Sequence, residues 1–137
     1  MSRVHKFSMK VPLYEIDLGG GVYHGNYYHF FDLARESMFD DMGYSYQSIM
    51  ENRNHLTVAE AHCKYLAPLG CHEKITILSS IIKITEKSLI LKHEIWDQQL
   101  ESQKTDLVIS LVCINHLCCS VILPVPLRKA MTSWNSL

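Results

Sequence analysis

The first segment of the chain alternates. His5, Phe7, Met9, Val11 and Leu13 fall on one side of an extended backbone, and Lys6, Ser8, Lys10 and Pro12 on the other. A period of two predicts a half-buried strand. Pro12 has no N–H to give a neighbouring strand, which puts this segment at a sheet edge or a strand end. The period then changes. Tyr27, Phe30, Phe31, Ala34, Met38 and Met42 repeat at helical spacing with Leu33 on their flank, while Asp32, Glu36 and Asp40 stand four apart on a solvated face. The spacing predicts a helix over Tyr27–Met42, with Asn26 as its N-cap and Gly43 as its C-cap. Ala34 is small enough to let a sheet approach closely. A short second helix is expected over Ser45–Asn52.

The remainder reads as strands, near His55–Leu66, Glu73–Thr85, Leu89–Asp97 and Lys104–Leu123, the last bent or bulged. The breaks, Pro68-Leu69-Gly70, Glu86-Lys87-Ser88 and Gln98–Ser102, are short, so neighbouring strands pair antiparallel. Strand, long helix, then four strands is an α+β order. It implies an antiparallel sheet of about five strands with one aromatic helix on its face, round which the sheet curls.

Composition narrows the function classes. A chain of 137 residues, 47% hydrophobic and 20% charged, is sized for one domain over its whole length with a real core. The formal net charge of −1, without a basic stripe, speaks against nucleic acid as a partner. No apolar run reaches the roughly 18 residues of a membrane span, and the N-terminus lacks a secretory signal. The five cysteines, Cys63, Cys71, Cys113, Cys118 and Cys119, are odd in number and form no CxxC pair. Reduced thiols in the cytoplasm are expected. Cys113, His116, Cys118 and Cys119 cluster at spacings that match no common zinc site, so structural thiols on a late strand are expected and no metal. His62 and His93 read as strand residues with satisfied rings.

The stretch that carries chemistry runs from Tyr14 to Tyr27. A carboxylate, Asp17, ends a strand. Gly19-Gly20-Gly21 turn the chain, and His24 precedes the helix start. A helix N-terminus offers unpaired N–H groups and the positive end of a dipole, which together hold an anion or a developing oxyanion. Glycines let a ligand approach the backbone, and Asp17 supplies a base or nucleophile. The bland readings are that Asp17 is a turn residue, that His24 only hydrogen-bonds at the helix start, and that Tyr14 and Tyr23 pack in the core. The glycines lack the GxGxxG spacing and βαβ context of a nucleotide site.

These residues resemble a known family. Tyr14-Glu15-Ile16-Asp17, the glycine turn, Val22-Tyr23-His24-Gly25-Asn26-Tyr27 and Phe30-Phe31-Asp32-Leu33-Ala34-Arg35 are similar to the signature of the 4-hydroxybenzoyl-CoA thioesterase family, whose fold is the hotdog. Tyr65-Leu66-Ala67-Pro68 and Lys87-Ser88-Leu89 extend the likeness. The resemblance implies hydrolysis of an acyl-CoA thioester without a cofactor. Asp17 would attack the carbonyl or activate water, and His24 would assist. Tyr14, Gly21, Val22, Tyr23, Gly25 and Asn26 would bind the acyl thioester. Lys87 and Ser88, with Lys83 or Lys92, would meet the CoA arm. It also implies a homodimer or homotetramer. Overall likeness points to 1,4-dihydroxy-2-naphthoyl-CoA, on the route to phylloquinone or menaquinone. Hydroxybenzoyl-type or short-chain thioesters of CoA or acyl-carrier protein are the alternatives, and a hotdog dehydratase or a non-catalytic acyl-CoA-binding module the other classes. Ile16, where Thr is frequent, and Gly21, where Val is common, bear on the acyl preference.

Overall fold

The computed structural model describes residues 3–136. Its elements are β1 (Val4–Lys10), α1 (Tyr27–Asp41), α2 (Tyr46–Glu51), β2 (Asn54–Tyr65), β3 (Lys74–Ile84), β4 (Ser88–Asp97), β5 (Gln103–Asn115) and α3 (Val125–Asn135). The strands form one sheet in the order β1-β3-β4-β5-β2, with every neighbouring pair antiparallel. The expected α+β architecture is therefore present, with α1 on the concave face.

Alternation sets that face. Ile75, Ile77 and Ile81 of β3, Leu89, Leu91 and Ile95 of β4, and Leu107, Ile109 and Leu111 of β5 are all at most 1% exposed. Register shifts at Val58/Glu60 and Ile81/Lys83 mark bulges, which bend a strand and tighten its twist, so the sheet curls round the helix. Ala34, fully buried, lets the helix sit close. Phe30, Phe31 and Phe39 are 1% exposed or less; each such burial is worth roughly 1.5–3 kcal/mol.

The helix face is broader than the apolar pattern implies. Arg35 and Phe39 are buried as well, whereas Leu33 is 45% exposed and Met42 only half-buried. Arg35 is kept by partners: its Nε donates to Tyr46 Oη at 2.8 Å and its terminal nitrogen meets Asp32. Gly43 follows the helix at φ 80°, the left-handed cap expected of it. Ser45 caps α2 by accepting from the Ser48 N–H at 3.2 Å. β1 ends at Lys10, so Val11 is buried but Leu13 is 65% exposed.

One expectation fails at the C-terminus. β5 stops at Asn115 rather than running to Leu123, and a loop leads to α3. Cys118 and Cys119 lie exposed in that loop, so only Cys113 is a buried strand thiol. Pro124 and Pro126, which break a strand, instead open a helix, where a missing N–H costs nothing. Leu127, Met131 and Trp134 form its buried stripe.

Candidate active site

The chain between β1 and α1 folds into a small hairpin. Ile16 pairs with Val22, the Asp17 N–H donates to Gly21 O at 2.9 Å, and the Gly20 N–H donates to Asp17 O at 3.1 Å. Gly20 sits at φ 83°, a left-handed angle that side chains resist. The Gly19 N–H donates to Asp17 Oδ1 at 2.8 Å, the local bond that Asp makes in turns. Both readings of Asp17 thus meet in one residue. One oxygen organises the turn, while the other accepts no hydrogen bond among the described residues, and the side chain is exposed. A Cβ on Gly19 would stand 3.1 Å from Oδ1, so the glycine gives the carboxylate its place.

Two carbonyls tie this hairpin down. Val22 N–H donates to Leu69 O at 3.0 Å, and Gly21 bridges Gly70; a Cβ added at Gly21 would meet Leu69 O at 3.4 Å. On the other side Glu15 O accepts from the Tyr23 N–H at 3.2 Å and from Asn26 Nδ2 at 3.3 Å. Asn26 holds the expected N-cap position of α1, but its side chain makes no cap bond. Its backbone is already helical and its amide braces the hairpin, because a 3₁₀ turn, His24–Asn26, precedes α1. That turn has no side-chain cap. Among the described residues the N–H groups of His24 and Gly25 donate to nothing. They are the first donors of the helix and point out of its N-terminus.

Aromatic rings surround these donors. Tyr23 and His24 pack with their rings tilted by 38° and centroids 4.3 Å apart, and the His24 and Tyr65 rings meet edge-on at 6.3 Å. The Tyr23 ring covers Gly25, where a Cβ would stand 2.9 Å from it. Tyr65, at the end of β2, donates its phenol to His24 O at 2.9 Å and packs edge-on against Tyr27 at 5.0 Å. Burial, then the neighbouring Cys63, pushes the Tyr65 phenol up to about 12, so it remains a neutral donor at working pH. A cleft of about 310 Å³ opens between Val22, His24, Tyr27, Tyr65, Leu66 and Pro68.

Two further residues of the site were not expected from the sequence. Glu15 is 4% exposed, and both its oxygens lie 3.1 Å from His29 Nδ1 on α1. A buried carboxylate needs such a partner. The available signal was a His on the exposed helix face, fourteen positions after a Glu that the hairpin turns inward. The pair borders a second cleft of about 530 Å³ with Tyr14, Asn26, Phe30 and Asp32.

With this geometry, the comparisons decide the family. Residues 11–134 match the thioesterase-like superfamily. The chain belongs to that superfamily. The acyl-CoA thioester hydrolase YbgC of Escherichia coli O6:H1 is 25% identical over 82% of this chain and 83% of its own length. Two solved structures share the hotdog fold. A 1,4-dihydroxy-2-naphthoyl-CoA thioesterase from Synechocystis aligns with a TM-score of 0.86 and 20% identity, over 95% of this chain and 96% of that one. A DHNA-CoA thioesterase from Staphylococcus aureus aligns at 0.87 and 22%, over 95% and 89%.

In this thioesterase-like chain the expected residues do not all converge. Asp17, Gly21, Val22, Tyr23, His24, Gly25 and Asn26 share one hairpin and turn. Tyr23 and Tyr14 are not core residues, at 48% and 81% exposure, and Tyr14 lies on the second cleft. Lys87 and Ser88 sit at the β3–β4 hairpin, whereas the Asp17 turn meets the chain just before β3 at Leu69 and Gly70. The length of β3, roughly 35 Å at about 3.3 Å per residue, separates them within one chain. Ser88 Oγ is engaged there by Thr85 Oγ1 at 2.7 Å. Lys92 pairs with Glu94 and Asp106 on the outer sheet face. Among the described residues no three His, Cys, Asp or Glu side chains gather as metal ligands. No helix among them is long and apolar enough to cross a membrane.

Proposed function

We propose that this chain hydrolyses an acyl-CoA thioester, with Asp17 as base or nucleophile and the His24 and Gly25 N–H groups as oxyanion donors. One observation carries the reading: an exposed carboxylate on a glycine turn leads, through its own hairpin, into a helix whose first donors are free. As the carbonyl carbon becomes tetrahedral, negative charge builds on its oxygen, and donors already aimed outward stabilise it without reorganising. Asp17 then has two routes. It attacks the carbonyl, expels CoA thiolate and leaves an anhydride that water opens, or it takes a proton from water, which attacks and expels the thiolate directly. A thiol leaving group, with a reference pKa of about 8.5, needs no strong acid behind it.

The site favours hydrolysis over dehydration. A dehydratase needs its His beside an acid for proton transfer; the His24 ring lies tilted against Tyr23 and edge-on to Tyr65 without bonding to Asp17, and the His29–Glu15 pair lines the second cleft rather than the one at His24. The aromatic walls of the cleft at Tyr27 and Tyr65 suit a flat acyl group, since rings prefer edge and offset contacts with rings. With overall likeness, that supports 1,4-dihydroxy-2-naphthoyl-CoA as substrate, ahead of hydroxybenzoyl and short aliphatic thioesters. A second copy would join along β2, which bonds only to β5 and exposes Val58 and Tyr65 at its outer edge.

Thiol release from a panel of 1,4-dihydroxy-2-naphthoyl-, 4-hydroxybenzoyl- and short-chain acyl-CoAs tests the reading. The aromatic thioesters should turn over fastest. Binding of acyl-CoA with no thiol released would make the chain a binding module, and loss of water from a hydroxyacyl-CoA would make it a dehydratase.

A further inference from the structure

We infer that Tyr65 is a positioning residue for the thioester carbonyl: its phenol, bonded to His24 O, sets the direction of the Gly25 N–H. The inference rests on the oxyanion role proposed for that N–H. A peptide unit is planar and trans, so its C=O and the following N–H point in opposite directions. Holding the His24 carbonyl therefore aims the Gly25 N–H. The phenol reaches that carbonyl at 2.9 Å from forty-one residues away, off the end of β2.

The local bond across this turn, from the Asn26 N–H to Tyr23 O at 2.9 Å, is kept whichever way the middle peptide faces, since turns of types I and II differ by its flip and glycine at the third position admits both. The 3₁₀ turn is three residues long, has glycine at its centre, and carries no side-chain cap at its start. Such a turn frays, since short 3₁₀ segments have poor hydrogen-bond geometry and glycine is the freest residue. Glu15 O holds Tyr23 and Asn26, the residues on either side of His24 and Gly25, and so brackets the turn without fixing its middle. Tyr65 supplies that missing brace. Its ring packs in turn against Tyr27, which is 3% exposed, so the phenol is held from the core.

The test is Tyr65→Phe, which deletes the hydroxyl and keeps the ring against Tyr27. Removing an oxyanion donor outright costs about 10² to 10³ in rate. Misaiming one should lower kcat by about tenfold to a hundredfold, with KM within about twofold and thermal midpoint and circular dichroism close to wild type. A variant that matches an active wild type overturns the inference alone. So does one that raises KM at constant kcat, which would make Tyr65 a substrate contact. A variant that fails to fold overturns it too, because a half-exposed brace on one turn is not required by the core. A wild type inert toward every thioester in the panel removes the hydrolase reading, and this inference with it.

Discussion

The two ends of α1 are built oppositely. At the C-terminal end the Met38, Phe39 and Asp40 carbonyls are all taken. The N–H groups of Met42, Gly43 and Tyr44 close onto Met38, Asp40 and Phe39 carbonyls at 3.0–3.2 Å. The Asp41 carboxylate accepts from Trp134 Nε1 at 3.2 Å, with Arg3 and His5 each 3.6 Å away, and Arg3 lies over the Trp134 ring. At the N-terminal end there is no side-chain cap, two donors are free, a glycine sits in the turn, and Asp17 keeps an oxygen unbonded. One helix meets its polar requirements internally at one end and leaves them for an outside acceptor at the other. Unmet hydrogen-bonding capacity next to a carboxylate is what a reacting carbonyl would complete.

Asp17→Asn breaks the open end most sharply. Asn keeps the shape and can still accept from Gly19, but it is neither base nor carboxylate nucleophile. Turnover should fall by about 10² to 10⁴, with acyl-CoA binding and far-UV circular dichroism preserved. Steady-state kinetics beside a binding titration checks this. A variant holding most of its turnover would take Asp17 out of the chemistry.

Between the two ends, beneath the middle of α1, lies a group that must stay uncharged. His93 is fully buried; its Nδ1 shares a 2.6 Å bond with Ser79 Oγ, and its ring stacks on Phe31. Nε2 has no partner among the described residues, so the expected satisfied ring is only half satisfied. Burial first, then the charges of Arg35 and His5, pushes its pKa from 6.5 down to about 3. The unfolded chain therefore takes a proton that the folded chain refuses. Stability from this site is complete above pH 6.5 and declines as the pH falls towards 3, by up to about 1.4 kcal/mol per unit. Urea midpoints between pH 7 and pH 4 should fall less steeply for His93→Gln than for wild type, with kcat at neutral pH little changed. Parallel curves would place the acid sensitivity elsewhere.

What could be read from the sequence followed from local pattern. Alternation gave β1, helical spacing gave the aromatic face of α1, and Gly43 and Ser45 marked helix ends. The glycine turn singled out Asp17 because its constraint is local. What depends on distant neighbours was hidden. Helical spacing left Arg35 off the apolar face, yet Tyr46, eleven residues on, helps it to be buried. The Asn26 side chain looked like a cap because nothing local announces that Glu15 O lies within its reach. Tyr65 stood out only as part of Tyr65-Leu66-Ala67-Pro68, since its partner is forty-one residues away. Pro124 and Pro126 masked α3, whose buried Leu127, Met131 and Trp134 nonetheless repeat at helical spacing. Expectations for Lys87 and Ser88 concern a region that one chain cannot bring to Asp17.

The smallest effect should come from the closed end. Asp41→Asn keeps an acceptor for Trp134 Nε1 and removes the charge facing Arg3 and His5. Asp41 is close to half exposed, and pairs of that kind contribute under about 1 kcal/mol. Its pKa is held below the usual carboxylate value, first by the Trp134 hydrogen bond and then by the His5 and Arg3 charges, against an opposing effect of burial. A lowered carboxylate contributes stability above its unfolded value of 3.8, and loses it as the pH falls through the folded value. The variant should therefore melt slightly below wild type at pH 7, and the gap should close below about pH 4. Turnover should be unchanged, because the polar groups at this end are already satisfied by α3 and β1 and face no substrate. Thermal melts across that pH range, with kcat at pH 7, decide the matter. A change in kcat would mean that strain at Asp41 reaches the donors at Gly25, and the two ends would then be one coupled device rather than a closed end and an open one.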